Sequence, residues 1–294
     1  MSRPPTFIPP PGTRSYPLAT PRGEFAVLDT PSTAPAQKGT VLLLPGFTGS
    51  KEDFIALLPA IAAAGYRAVA VDGRGQYESA GPRDDQSAYA QAELAQDVLA
   101  QAAALGGRVH LVGHSLGGQI ARAAVLLDPA PFASLTLMAS GPAQISASQQ
   151  ERVKLLQDAL AVLDMAQVWE AIQALEPPEE TDTDGGDPAL RARWLRHSPA
   201  QLTATGRLLM TEPDRVDELV ALGLRTHVLS GERDDTWPVP LLDEMAGRLS
   251  ARRSVIEGAE HSPNTDRPEA TAAALISFWD SLAPDAAPDP GHGS

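Results

Sequence analysis

The chain has 294 residues, 43% of them hydrophobic, and 37 acidic against 23 basic side chains give a formal net charge of −14. Such a length fits one globular core with an insertion, and the acidic balance argues against nucleic acid or an anionic membrane surface as a partner, because both need clustered positive charge. Cysteine is absent, which excludes disulfides, a thiolate nucleophile and Cys-ligated metals.

Residues 1–15 are Pro-rich and read as a flexible N-terminal arm. They contain no apolar core of the ~7–15 residues that a secretion signal carries. No stretch approaches the ~20 apolar residues needed to span a bilayer, so the expectation is a soluble cytoplasmic protein. Tyr16 to Asp29 shows weak alternation and reads as an antiparallel edge pair. After a Pro/Ala loop, Thr40 to Leu44 is a continuous apolar strand of the kind buried on both faces in a parallel sheet. It stops at Pro45-Gly46-Phe47, and Lys51 to Ala64 reads as a helix closed by Gly65. Arg67 to Val71 is the next strand and Gln86 to Leu105 the next helix. The strand Val109 to Val112, the helix behind Gly118 and the strand Ser134 to Ala139 continue the alternation. Alternation of this sort means parallel strands with crossover helices on both faces, an α/β fold in which loops beyond the carboxyl ends of the strands carry function.

The rhythm breaks between residues 142 and 224, where helices over Gln149 to Leu163, Met165 to Leu175, Asp187 to Arg196 and Pro199 to Met210 read as an inserted helical cap. Asp187 before Pro188 has the form of an N-cap with Pro at the first helical position. Glu176 to Asp187 holds six carboxylates and two glycines. It reads as a solvated linker rather than a metal loop, because the spacing of Ca²⁺ ligands is not met. Thr226 to Ser230, Pro240 to Leu249, Arg252 to Ile256 and Pro268 to Leu282 then complete the core, which is assigned to residues 16–141 and 225–282. The Pro/Ala/Gly-rich tail, residues 283–294, reads as disordered.

Between a strand and a helix lies Gly113-His114-Ser115-Leu116-Gly117, which fits G-x-S-x-G in the strand-turn-helix context that gives the pattern its meaning. A serine hydroxyl needs a base to take its proton and an acid to orient that base. Of six histidines, His110 lies in a strand, His227 near the start of one, His197 in the inserted helices and His292 in the tail. His114 adjoins the serine with its side chain expected to point away from the hydroxyl. His261 follows the last strand in a carboxyl-end loop and is the candidate base. The loop after Thr226 to Ser230 offers Asp234 and Asp235 as the acid, and spacing alone does not separate them.

Over about Thr40 to Leu282 the chain resembles the α/β-hydrolase superfamily. Gly231, Asp234 and Pro238 match the superfamily's G-x-x-D with a following Pro, which selects Asp234 over Asp235. Gly258, His261 and Pro268 are similar to its base motif. Asp72-Gly73-Arg74-Gly75 with Ser79 resembles its D-x-R-G-x-G-x-S loop, with Tyr77 at the usual second Gly and Asp72 expected to order the loop. The resemblance implies acyl transfer to water by Ser115, His261 and Asp234. It also implies an oxyanion hole made by the backbone N–H groups of Phe47 and Leu116, although the family's His-Gly before the first donor is Pro45-Gly46 here. Phe47, Trp169, Trp194, Met210 and Trp237, with Met165, suggest a pocket for a small to medium apolar ester. Thioesters, lactones, aminopeptidase substrates and perhydrolysis share the same triad, and a ligand-binding protein with little turnover is the competing class. No metal or organic cofactor is implied, the expected partner is a small-molecule substrate, and nothing in the sequence indicates an oligomeric state.

Overall fold

The computed structural model describes residues 2–175 and 187–282. The acidic stretch after Leu175 and the C-terminal tail therefore lie outside the described residues, apart from Asp187. In chain order the strands are β1 (Arg14–Thr20), β2 (Gly23–Thr30), β3 (Gly39–Leu44), β4 (Tyr66–Val71), β5 (Val109–His114), β6 (Phe132–Met138), β7 (Thr226–Gly231) and β8 (Arg252–Ile256). The helices are α1 (Leu58–Ala63), α2 (Gln91–Leu105), α3 (Leu116–Leu127), α4 (Ala147–Val162), α5 (Met165–Leu175), α6 (Pro188–Arg196), α7 (Pro199–Thr211), α8 (Val216–Ala221), α9 (Val239–Leu249), α10 (Pro263–Asp266) and α11 (Pro268–Asp280).

The strands form one sheet in the order β1-β2-β4-β3-β5-β6-β7-β8. β1 and β2 run antiparallel at one edge, and β4 through β8 pair in parallel, which agrees with the expected architecture. Because successive side chains of a strand point to opposite faces and both faces are covered, β3 is continuously apolar from Val41 to Leu44. In β3, Leu42 and Leu44 join a core shared with α2, α3 and α9, whereas Val41 and Leu43 join one shared with α1 and α11. Full burial of each such side chain contributes about 1.5–3 kcal/mol.

Two expected helices are interrupted. Lys51 to Ala64 divides into a tight turn at Lys51–Phe54 and α1, because Pro59 has no N–H to bond backward and therefore sits in the first turn of a new helix. The helix expected from Gln86 begins only at Gln91, since Ala90 is extended, with ψ 143°. The Asp187 cap is as expected, its carboxylate accepting from the Ala189 N–H at 2.8 Å.

Between β6 and β7, helices α4 to α7 pack on one another, α5 and α6 around Met165, Trp169 and Trp194. α8 lies within the stretch expected as cap but packs Val216 and Leu219 into the core shared with α3 and α9. Both ends of the inserted segment are held at one guanidinium. Arg122 of α3 donates to the carbonyls of Gly141 (3.1 Å) and Pro142 (2.8 Å), and pairs with Glu212, just past α7, at 2.8 Å. Residues 2–7, read from the sequence as part of a flexible arm, are laid against this cap. Phe7 packs on its apolar cluster and the Ser2 carbonyl accepts from Arg193 of α6.

The amino-terminal end of the sheet buries two histidines. Burial and Arg108 push the His110 pKa down to about 4, and burial with Arg252 and Arg253 pushes that of His227 down to about 3. An unfolded histidine titrates near ~6.5, so below that pH the unfolded state takes up protons that the folded state refuses. Their contribution to stability is complete above ~6.5 and is lost progressively as the pH falls toward the folded values, by about 2 kcal/mol per group at pH 5. Thermal unfolding at pH 7.5, 6.5, 5.5 and 5 should show a falling Tm, and a flat profile would contradict this reading.

Candidate active site

The site is built at the end of β5, where the chain turns sharply into α3. Ser115 has φ 54° and ψ −119°, a left-handed conformation that a side-chain-bearing residue adopts only when its surroundings hold it. The glycines on either side are required by close approach: a Cβ on Gly113 would lie 2.3 Å from the Gly117 carbonyl oxygen. One on Gly117 would lie 2.5 Å from the carbonyl oxygens of both Leu44 and Pro45. The loop after β3 is thereby pressed against the start of α3. The Ser115 N–H is held by the Met138 carbonyl at 2.9 Å.

His261 is supplied by the loop between β8 and α10, and its Nε2 accepts from Ser115 Oγ at 3.0 Å. Its Nδ1 donates to the Asp234 carboxylate at 3.0 and 3.1 Å. Asp234, on the loop after β7, has a fully buried side chain, and its Oδ1 also accepts from the backbone N–H groups of Thr236 (2.8 Å) and Trp237 (3.2 Å). Asp235 makes no bond to the imidazole: it stands exposed in the wall of the cavity, bonded to Gln149 of α4 at 2.6 Å. The choice that spacing left open is thus separated by geometry. Gly231 matters here because a Cβ on it would lie 2.2 Å from the carbonyl oxygen of Glu260, the residue before the histidine.

The N–H of Leu116 opens α3, where it has no intrahelical acceptor, and that of Phe47 bonds no acceptor among the described residues. Gly46 runs close by, since a Cβ on it would lie 3.2 Å from His114 Nδ1 and 3.4 Å from the Ser115 Cβ. Asp72 accepts from the Lys51 N–H (2.7 Å), Lys51 Nζ (2.9 Å) and the Glu78 N–H (3.1 Å), the loop-ordering role expected of it. Tyr77 has φ 36°, which explains why glycine suits that position. Its ring stands 4.7 Å from Lys51 Nζ.

A cavity of about 280 Å³ opens beside Ser115 and His261. Phe47 lines it, together with Ile145, Val153 and Leu209 on its apolar side. The other expected pocket residues lie elsewhere. Trp169 and Trp194 are consumed by packing inside the cap, Trp194 donating to the Met165 carbonyl at 2.7 Å, and Met165 belongs to the same cluster. Met210 packs against the core. Trp237 is fully buried behind Gly141, its Nε1–H donating to the Ala143 carbonyl at 2.9 Å. Large rings cover the most apolar surface, so they are drawn to interior contacts first.

One residue at the site carries no sequence signal. His114 occupies the variable position of the serine motif, and its Nε2–H donates to the His261 backbone carbonyl at 2.9 Å, with the two rings 5.3 Å apart. It does not face the hydroxyl, as expected, but it braces the loop that carries His261. Complete burial pushes its pKa down to about 3, so it is neutral at ordinary pH.

Residues 41–274 match the Alpha/beta hydrolase family. The pimeloyl-(acyl-carrier protein) methyl ester esterase of Aeromonas hydrophila subsp. hydrophila is 33% identical over 242 residues, covering 78% of this chain and 91% of that one. The protein of the same name from Edwardsiella ictaluri is 30% identical over 260 residues, covering 84% and 96%. Among solved structures, a thermophilic esterase from Thermogutta terrifontis superposes with a TM-score of 0.70 at 23% identity, over 92% of this chain and 98% of that one. The chain belongs to the alpha/beta hydrolase family.

Gly231→Ala tests the close crossing beneath His261. The added methyl must push the Ala259 and Glu260 carbonyls aside, and overpacking of this kind costs about 1–3 kcal/mol. Urea unfolding should show that loss, and an unchanged midpoint would mean that the loop yields freely.

Proposed function

We propose that the chain is a serine hydrolase that cleaves carboxylic esters through an acyl-enzyme, with Ser115 as nucleophile, His261 as base and Asp234 as the acid that orients it. The reading is carried by one observation: Ser115 Oγ and the Asp234 carboxylate occupy opposite nitrogens of the same imidazole, at 3.0 Å each. As Ser115 Oγ bonds to the ester carbonyl carbon, its proton passes to His261 Nε2, and the negative charge on the carbonyl oxygen is met by the N–H groups of Phe47 and Leu116. Collapse breaks the bond to the alkoxy group, which leaves with the proton from His261. Water, deprotonated by the same nitrogen, then releases the acid and restores the serine. Asp234 stays ionised, holding Nδ1 protonated and Nε2 free to accept.

A cavity of about 280 Å³ is at the small end of ligand sites, which are typically about 300–1,000 Å³, and its apolar side favours a modest acyl or alcohol group. The names of the two relatives, methyl ester esterases, favour a small alcohol as the leaving group. Serine at position 115 disfavours the carboxylate-nucleophile chemistry of other members.

A series of p-nitrophenyl esters of increasing chain length, run with fluorophosphonate labelling, tests the assignment. Ser115→Ala should abolish labelling and lower kcat by about four orders of magnitude or more. Asp234→Asn should lower kcat by roughly 10⁴-fold, whereas Asp235→Asn should stay within a few-fold of the native rate. Retained labelling of the Ser115→Ala protein, or equal losses at the two aspartates, would overturn the assignment.

A further inference from the structure

The wall of the cavity contains a segment that belongs to neither the sheet loops nor the cap helices. Ser2 lines the space beside Ser115, and its Oγ lies 3.0 Å from Oγ of Ser262, the residue after His261. Between residue 2 and Arg14 the chain forms no helix or strand, so it is held in place by contacts alone.

Those contacts converge on Arg193. Its guanidinium is completely buried, with Nη2 donating to the Ser2 carbonyl and Nη1 to Asp53 Oδ1 at 2.7 Å. The Asp53 carbonyl in turn accepts from Asn264 Nδ2 at 2.7 Å, three residues beyond His261. Arm, cap and core loop therefore meet at Arg193, and the histidine loop is tied to the same core loop through Asp53. A second hold is Phe7, whose ring lies 5.8 Å from the Arg193 guanidinium and edge-on to Tyr77 at 6.2 Å. Ile8, immediately after it, is 77% exposed.

We propose that residues 2–7 are a specificity element, a strap that closes one side of the cleft and limits the size of the group admitted beside Ser115, with Arg193 and Phe7 as its fastenings. The inference rests on the esterase reading and names what sets substrate size at that same site. Loosening the strap enlarges the cleft on the Ser2 side, whereas fixing it keeps the cavity near its present volume.

The absence of native cysteine makes the test clean. In a Ser2→Cys/Ser262→Cys protein the two sulfurs replace oxygens 3.0 Å apart, close enough to join after a small shift. Glutathione disulfide would oxidise the pair, dithiothreitol would reduce it, and kcat/KM would be measured for p-nitrophenyl octanoate and acetate in each state. The octanoate-to-acetate ratio is expected to be at least about fivefold lower in the oxidised than in the reduced protein, on the scale of steric discrimination by a pocket. Phe7→Ala, which lies off the cavity, should raise the ratio above the native value while acetate hydrolysis persists. The proposal is overturned if the cross-link does not form in folded protein, or if the ratio stays within about twofold across all forms. If the native protein cleaves neither ester, the esterase reading fails and this inference falls with it. A responsive acetate rate with an unresponsive ratio defeats the strap alone.

Discussion

The contact on which the site depends is the crowded crossing between the end of β5, the first turn of α3 and the loop after β3. Backbone meets backbone there with no room for a Cβ at Gly113 or Gly117. The same crowding holds Ser115 in its left-handed conformation and brings the loop carrying Phe47 against the start of α3. A single packing constraint thus fixes the turn at Ser115 and sets the start of α3 against the loop after β3. Interiors are close-packed, so such an arrangement is stiff.

Around that crossing, buried charges set the geometry of the rim. Lys51 with Asp72, Arg193 with Asp53 and Arg122 with Glu212 each join segments distant in the sequence. Buried pairs contribute little net stability, because desolvation offsets much of the attraction, but losing one partner leaves the other charge uncompensated. Their effect is positional: Lys51 and Asp72 order the loops beyond β3 and β4, Arg122 grips both ends of the cap segment, and Arg193 fastens the arm. His114 does the same for His261 with a neutral hydrogen bond.

Most of the architecture was legible because burial writes a period into a strand. Val41, Leu42, Leu43 and Leu44 are apolar in succession because β3 is covered on both faces, and G-x-S-x-G is legible because steric crowding admits few sequences. Pro59 is equally visible, but apolar spacing alone does not register the break it makes in the helix from Lys51. The pocket was the least legible part. Trp169, Trp194 and Trp237 are large and apolar wherever they lie, and composition does not distinguish a ring facing a ligand from one facing its neighbours.

By itself, the sequence determined the alternating parallel core and the position of the sharp turn, because these depend on local periodicity and on local steric limits, whereas the histidine and aspartate followed from their places after strands and from the family resemblance. Only the tertiary structure decided that His114 braces the loop of His261 and that Ser2 stands in the wall of the cleft, and it showed the Asp234 carboxylate, which spacing alone did not separate from Asp235 and the family resemblance favoured, facing the imidazole. Each of those facts depends on the direction of a side chain relative to a segment more than twenty residues away. Long-range direction is set by packing of the whole core, and no local pattern records it.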